Sequence, residues 1–218
     1  MYPILAAIFF FTLTVGVFLG CTFVRKSFRT AFVGRALRFY GIWILAYLVL
    51  IFLGTGPKGT RETAKYKLPW SAGQSHLVSQ GNRSFTSHRG LHENAWDFWM
   101  PIGTEVLAAR DGIVSEVEQG FAGIGIMSNF IKITHEDGSL AMYAHIKKGG
   151  ALAKAGDHVK QGQIIALSGM VGQTINPHLH FVVFNADGSA SLPISFLDVP
   201  GDGLPRAGHI YSSSNLPH

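Results

Sequence analysis

The chain has 218 residues, room for one domain with appendages, and sets 18 Lys and Arg against 13 Asp and Glu, a formal net charge of +5. The excess is local: residues 25–38 hold 5 basic residues and no acid, leaving 13 basic against 13 acidic side chains over residues 57–218. That distribution excludes the basic face of a nucleic-acid binder, while a hydrophobic content of 47% is high for a purely soluble protein.

Residues 3–24 carry no charge, and as a helix they extend about 33 Å, enough to cross a bilayer core. A second uncharged run covers residues 39–56, with Tyr40 and Trp43 where an interfacial aromatic belt lies. Residues 1–56 are therefore predicted to form an α-helical transmembrane hairpin rather than two buried core helices. Its connecting loop, RKSFRTAFVGRALR, is rich in basic residues (Arg25, Lys26, Arg29, Arg35, Arg38), so the positive-inside rule places residues 25–38 in the cytoplasm. Everything after the second span then lies on the opposite side, although Lys58, Arg61, Lys65 and Lys67 reduce the asymmetry. The N-terminal stretch lacks the basic n-region of a cleaved signal peptide, and the flanks of Cys21 fit a lipoprotein site poorly. Cys21 is the lone cysteine, so any metal held beyond the first span must be bound by His and carboxylate, which suits an oxidising compartment.

Residues 57–69 (PKGTRETAKYKLP) show no apolar period and read as a linker. From residue 70 the chain turns to glycine and short β-prone runs at 112–117, 129–135, 140–145, 163–167 and 179–184. Asp111-Gly112, Asp137-Gly138 and Asp187-Gly188 supply turns between or beside them. The prediction over residues 70–198 is an all-β antiparallel domain, a sandwich and barrel-like hybrid. The passages starting Gly103-Thr104-Glu105-Val106 and Gly156-Asp157-His158-Val159 echo each other. Carrier domains share that pattern, so this fold does not by itself imply catalysis. Residues 199–218, rich in Pro, Gly and Ser, are expected to be a mobile tail.

Within the last predicted strand, Pro177-His178-Leu179-His180-Phe181 places two imidazoles on one face, since strand residues i and i+2 point the same way. Such a pair can supply two ligands to one metal, although in a chain with 10 histidines a His-x-His triplet arises by chance in roughly one sequence in two. Four further pieces precede it: Ser87-His88-Arg89-Gly90 with Ala95-Trp96-Asp97-Phe98-Trp99-Met100-Pro101, then Ala108-Ala109-Arg110-Asp111-Gly112, then Met142-Tyr143-Ala144-His145, then Gly156-Asp157-His158-Val159 through Ser168-Gly169.

These pieces, in this order, resemble the LytM and lysostaphin-like zinc metallopeptidases, bacterial enzymes that cut peptide cross-links of the cell wall. The resemblance covers residues 70 to 185. It implies a Zn2+ ion held by an upstream His, Asp97 and His180, with His145 and His178 beside the metal as catalytic groups. One of these two would take the proton from the attacking water and the other stabilise the oxyanion, in either assignment. The commonest family pattern has a histidine four residues before the aspartate, where this chain has Glu93. A longer family variant with Ser-His-x-Gly matches His88, which is preferred as the ligand over His92; His92 is then expected to be a surface loop residue. Away from these motifs, His135 and His158 read as solvated loop residues, Tyr143 as packing, and His76, His209 and His218 as unassigned.

The function this implies is a membrane-anchored zinc endopeptidase acting on peptidoglycan peptides outside the bacterial cytoplasmic membrane. The alternative is a catalytically inactive relative that activates or scaffolds other wall hydrolases. Loss of a ligand or catalytic histidine would mark that alternative, and every position has a candidate here. A carrier domain would need a modifiable lysine in a tight hairpin, and none is identifiable.

Overall fold

Alternation between apolar and polar side chains dominates the second half of the chain, and the computed structural model resolves it into an antiparallel β domain. The structure describes residues 38–43, 65–84 and 86–218. The chain divides into two units, residues 1–49 and 50–218. In the first, residues 38–43 are helical, with Phe39 edge-on to Tyr40 and Trp43. The rest of the predicted hairpin lies outside the described residues, and among those described no helix is long and apolar enough to cross a membrane.

Among its described residues the second unit contains ten strands: β1 (Ser75–Gln80), β2 (Trp96–Trp99), β3 (Glu105–Leu107), β4 (Gly112–Glu118), β5 (Phe130–Thr134), β6 (Leu140–Ala144), β7 (His158–Val159), β8 (Ile164–Leu167), β9 (His178–Phe184) and β10 (Ile210–Ser212). Eight of them form one antiparallel sheet in the order β10-β1-β2-β9-β6-β5-β4-β7, and β3 pairs with β8 in a second. The runs predicted at 112–117, 129–135, 140–145, 163–167 and 179–184 become β4, β5, β6, β8 and β9. Both sheets feed one core, in which Val106, Ile165 and Ala166 join Phe98, Ile131, Tyr143 and Phe181. That is the layered half of the predicted hybrid; the large sheet runs from β10 to β7 as an open order.

Strand period decides which side chains enter the core. On β9, Leu179, Phe181 and Val183 lie in the main cluster, while Val182 and Phe184 belong to a smaller one with Ala95. On β2, Trp96 and Phe98 are core residues, so Asp97 and Trp99 project to the other face. Burying a side chain such as Phe181 contributes on the order of 1.5–3 kcal/mol, and Phe181 packs edge-on against Tyr143. Gly112 opens β4 where a Cβ would lie 2.5 Å from both Ile133 Cγ2 and Thr134 O, so a side chain here would push β4 off β5.

Two expectations about the flanks need correction. The end of the predicted linker is part of the domain: Tyr66 and Leu68 are buried, and Lys67 N–H donates to Ala109 O at 2.9 Å. Three alternating residues are too short a run for an apolar period to register. The tail over 199–218 is packed rather than mobile. Val199 and Leu204 are each 2% exposed, β10 pairs with β1, and the Asn215 amide donates to Leu68 O and Ala108 O at 3.2 and 3.1 Å. A Pro, Gly and Ser composition disfavours helix and long strand, but side-chain and backbone hydrogen bonds still fix such a segment.

Candidate metal centre

The site is built on the face of the large sheet opposite the main core. Register places Asp97 of β2 directly across from His180 of β9, with His180 in turn across from Ala144 of β6. His178 is two residues earlier on the same face. His88 comes from the segment between β1 and β2, which includes a 3-10 turn at Gly90–His92 and folds back over this face. His88 is only 1% exposed.

Three imidazole nitrogens converge on one carboxylate oxygen. Asp97 Oδ1 lies 2.8 Å from His180 Nδ1, 3.2 Å from His88 Nε2 and 3.5 Å from His178 Nε2. The far nitrogens fix the tautomers. His88 Nδ1 is 2.8 Å from Gly81 O, and His178 Nδ1 is 2.9 Å from Asn176 O. A carbonyl only accepts, so both Nδ1 atoms carry the proton and, in the neutral rings, both Nε2 atoms turn a lone pair toward Asp97. Lone pairs crowded around a buried carboxylate demand a positive charge among them. A proton on His88 or a metal cation meets that demand.

The electrostatics agree. Burial raises the Asp97 carboxyl, but His88 and His180 outweigh it and hold it well below the usual carboxylate range. Burial lowers the His88 imidazole, yet the adjacent Asp97 charge leaves it raised overall. For His180 burial wins and pushes it down to about 4. A neutral imidazole is the form that ligates metal.

Among the described residues, His88, Asp97 and His180 form a group whose donor atoms all lie within 4.8 Å of one another. Two nitrogens and a carboxylate oxygen are the donor set of a hydrolytic zinc centre, which keeps a fourth position open. The residues present fit zinc.

His145 reaches the site by a backbone device. Strand alternation after Tyr143, whose hydroxyl accepts from Ala109 N–H inside the core at 2.8 Å, would send residue 145 to the core side. His145 instead has φ 65, the left-handed region, which swings its ring toward His178 at a centroid distance of 4.6 Å. Its Nδ1 lies 2.8 Å from Val171 O and 3.1 Å from Ser128 Oγ, so Nδ1 carries the proton and Nε2 is the open nitrogen. Burial, and then the neighbouring His178, lower the pKa of the ring. Gly169 explains the Ser168-Gly169 motif: it bridges His178, and a Cβ on it would lie 2.7 Å from His145 O. Only glycine lets the two histidine-bearing backbones approach this closely.

Other expectations fare differently. His92 is not a surface loop residue: it is half-buried, its Nδ1 is 3.1 Å from His180 Nε2, and its ring packs edge-on against Phe184. It stands behind His180, outside the ligand group. His135 is not solvated; it is buried beneath Tyr66, with Nδ1–H donating to Asp111 O at 2.7 Å. Tyr143 packs, as expected, and His158 is exposed on β7. Sequence reasoning passed over Ser128 and Thr174, which touch Nδ1 of His145 and His178 respectively. The carbonyls of Gly81, Val171 and Asn176 leave no mark in a sequence at all.

Fold and site together define a β-sheet domain with a His-Asp-His donor group that could hold a metal ion and two further histidines beside it. Residues 91–193 match the model of Peptidase family M23. The chain is 33% identical over 141 residues to an uncharacterized metalloprotease of Haemophilus influenzae, covering 65% of this chain and 26% of that protein. It is 39% identical over 89 residues to the peptidoglycan DD-endopeptidase ShyA of Vibrio cholerae, covering 40% of this chain and 19% of the relative. The crystal structure of the catalytic domain of lysostaphin from Staphylococcus simulans is 29% identical and aligns with a TM-score of 0.42 over 55% of this chain and 87% of that one. The chain thus spans about a quarter or less of the length of the curated relatives it matches.

Proposed function

We propose that the protein is a zinc endopeptidase that hydrolyses peptide cross-links of bacterial peptidoglycan. The observation that carries this reading is the convergence of His88, Asp97 and His180 into one donor group with the open Nε2 atoms of His145 and His178 alongside. The family match and the likeness to a relative named as a peptidoglycan DD-endopeptidase support the substrate class.

His88, Asp97 and His180 would hold the ion. When bound, zinc supplies Lewis acidity, polarising the scissile carbonyl and acidifying the attacking water. The chain's own residues do the rest. His145 and His178 each anchor Nδ1–H on a backbone carbonyl, which fixes the ring and leaves Nε2 as the working atom. As a neutral ring, either can accept the water proton at Nε2; as an imidazolium, either can donate from Nε2 to the oxyanion or leaving amine. Ser128 Oγ donates to Val171 O at 3.0 Å, steadying the carbonyl that orients His145.

The reading extends to anchoring. Two uncharged runs around a basic loop support a membrane hairpin that keeps residues 57–218 outside the cytoplasm. A reporter active only in the cytoplasm, fused after His218, should be silent, and activity there overturns the topology. The catalytically inactive alternative requires a missing ligand or histidine, and all five are present.

The central test is zinc analysis of the purified chain together with a digest of isolated sacculi analysed for new peptide termini. One zinc per chain with shortened cross-links is expected. A zinc-free folded protein that leaves muropeptides unchanged overturns the proposal.

A further inference from the structure

The four histidines around Asp97 differ in what holds their outer nitrogen. For His88, His145 and His178 a backbone carbonyl is the nearest partner, Gly81 O, Val171 O and Asn176 O, joined at His145 and His178 by the hydroxyls of Ser128 and Thr174. For His180 it is a side chain, His92, whose Nδ1 lies 3.1 Å from His180 Nε2. A carbonyl can only accept, whereas an imidazole nitrogen either accepts or donates.

That difference falls on the histidine whose inner nitrogen has two possible states. Without a cation, His180 Nδ1–H donates to Asp97 Oδ1 at 2.8 Å, and Nε2 is a lone pair that needs a donor. With a cation among the donor atoms, Nδ1 gives up its proton to ligate, and the ring's single proton sits on Nε2, which then needs an acceptor. His180 is buried, so the wrong partner would leave a polar atom unpaired. His92 meets either state by shifting its own tautomer.

We infer that His92 is a positioning residue for the metal centre: it pairs with the outer nitrogen of His180 and so stabilises the tautomer that presents Nδ1 to the ion. The placement of His92 serves this. It ends the 3-10 turn Gly90–His92, and Phe184, four residues beyond His180 on β9, packs edge-on against its ring at 5.6 Å. The same segment delivers His88 from inside and His92 from behind, so both flank His180 with ring centroids 5.2 and 5.1 Å away.

The inference rests on the metal reading above, and its test separates the two. In the zinc-loaded full chain labelled with 15N-histidine, a coupling across the hydrogen bond should link His180 Nε2 to His92 Nδ1. Zinc affinity, measured by competition with a chromogenic chelator, should fall about 10–100-fold in His92→Ala, the usual cost of losing an outer partner. His92→Gln should regain most of it, because a side-chain amide also offers both an acceptor and a donor. Stoichiometry at saturating zinc should remain one in all three. A wild-type chain that takes up no zinc overturns the metal reading and this inference with it. A wild type that binds zinc but shows no such coupling, or a His92→Ala variant of unchanged affinity, overturns the role of His92 alone. Loss of affinity that glutamine does not restore also counts against it, because a space-filling role would then suffice.

Discussion

The two faces of β2 and β9 use the same backbone for opposite ends. One face carries Trp96, Phe98, Leu179 and Phe181, which pack into the main apolar cluster. The other carries Asp97, His178 and His180, which are also buried yet polar. On the first face every contact is satisfied from within. On the second, the groups present more lone pairs to one another than they have protons to share. A sheet covered on both sides can thus hold its stability on one face and its chemistry on the other, one residue apart.

The comparison can be broken most sharply at the ligands. His180→Ala should release zinc and abolish cleavage while leaving a folded, zinc-free domain; metal content and muropeptide analysis on one preparation decide it. A fully active variant would remove the site face from the chemistry.

Next come the groups beside the ion. His178→Ala and His145→Ala should each keep about one zinc per chain and lose about 100-fold to 10,000-fold in rate. The double variant should be much less than multiplicatively worse, since groups acting as one unit are non-additive. Zinc loss in His178→Ala would make it a ligand instead.

On the opposite face the expected effect is on stability. Phe181→Ala should lower the unfolding free energy by about 3–5 kcal/mol, read from denaturant titration, because it opens a cavity between Tyr143 and Phe196. A site-face variant that destabilised equally would erase the distinction between the faces.

The smallest effect lies at the domain's edge. Asp137 accepts from Arg110 at 2.8 Å and from Ser139 Oγ at 2.6 Å, and these bonds outweigh burial to hold its carboxyl below the usual range. A carboxyl depressed in the folded state adds stability above its unfolded pKa, about 3.9, and loses it as pH falls through the folded value. Its side chain is 42% exposed, so screening limits the contribution to about 1 kcal/mol. Asp137→Asn should therefore lower thermal stability slightly at pH 7, and the gap to wild type should close in acid. A gap that widened toward low pH would reverse the sign.

Much of this was legible beforehand because it is written in side chains. Asp97, His145, His178 and His180 stand in ordered motifs, and β-prone runs with Asp-Gly turns announced β4, β5, β6, β8 and β9. The strands β1 and β10 were not legible, since three to six residues of mixed polarity carry no period. Nor was the packed C-terminal segment, whose order rests on hydrogen bonds such as those of Asn215 rather than on apolar repeats. His92 escaped for a related reason. Its position depends on a turn between strands, and spacing along a chain does not show what a turn folds back upon.

The left-handed backbone at His145 has a consequence for laboratory evolution. A residue with a Cβ pays about 1 kcal/mol to sit there, and glycine relieves most of it. Libraries screened for heat tolerance alone should therefore enrich glycine at position 145 and deliver robust, silent proteins. Libraries screened for turnover should keep histidine and recover the deficit elsewhere in the domain.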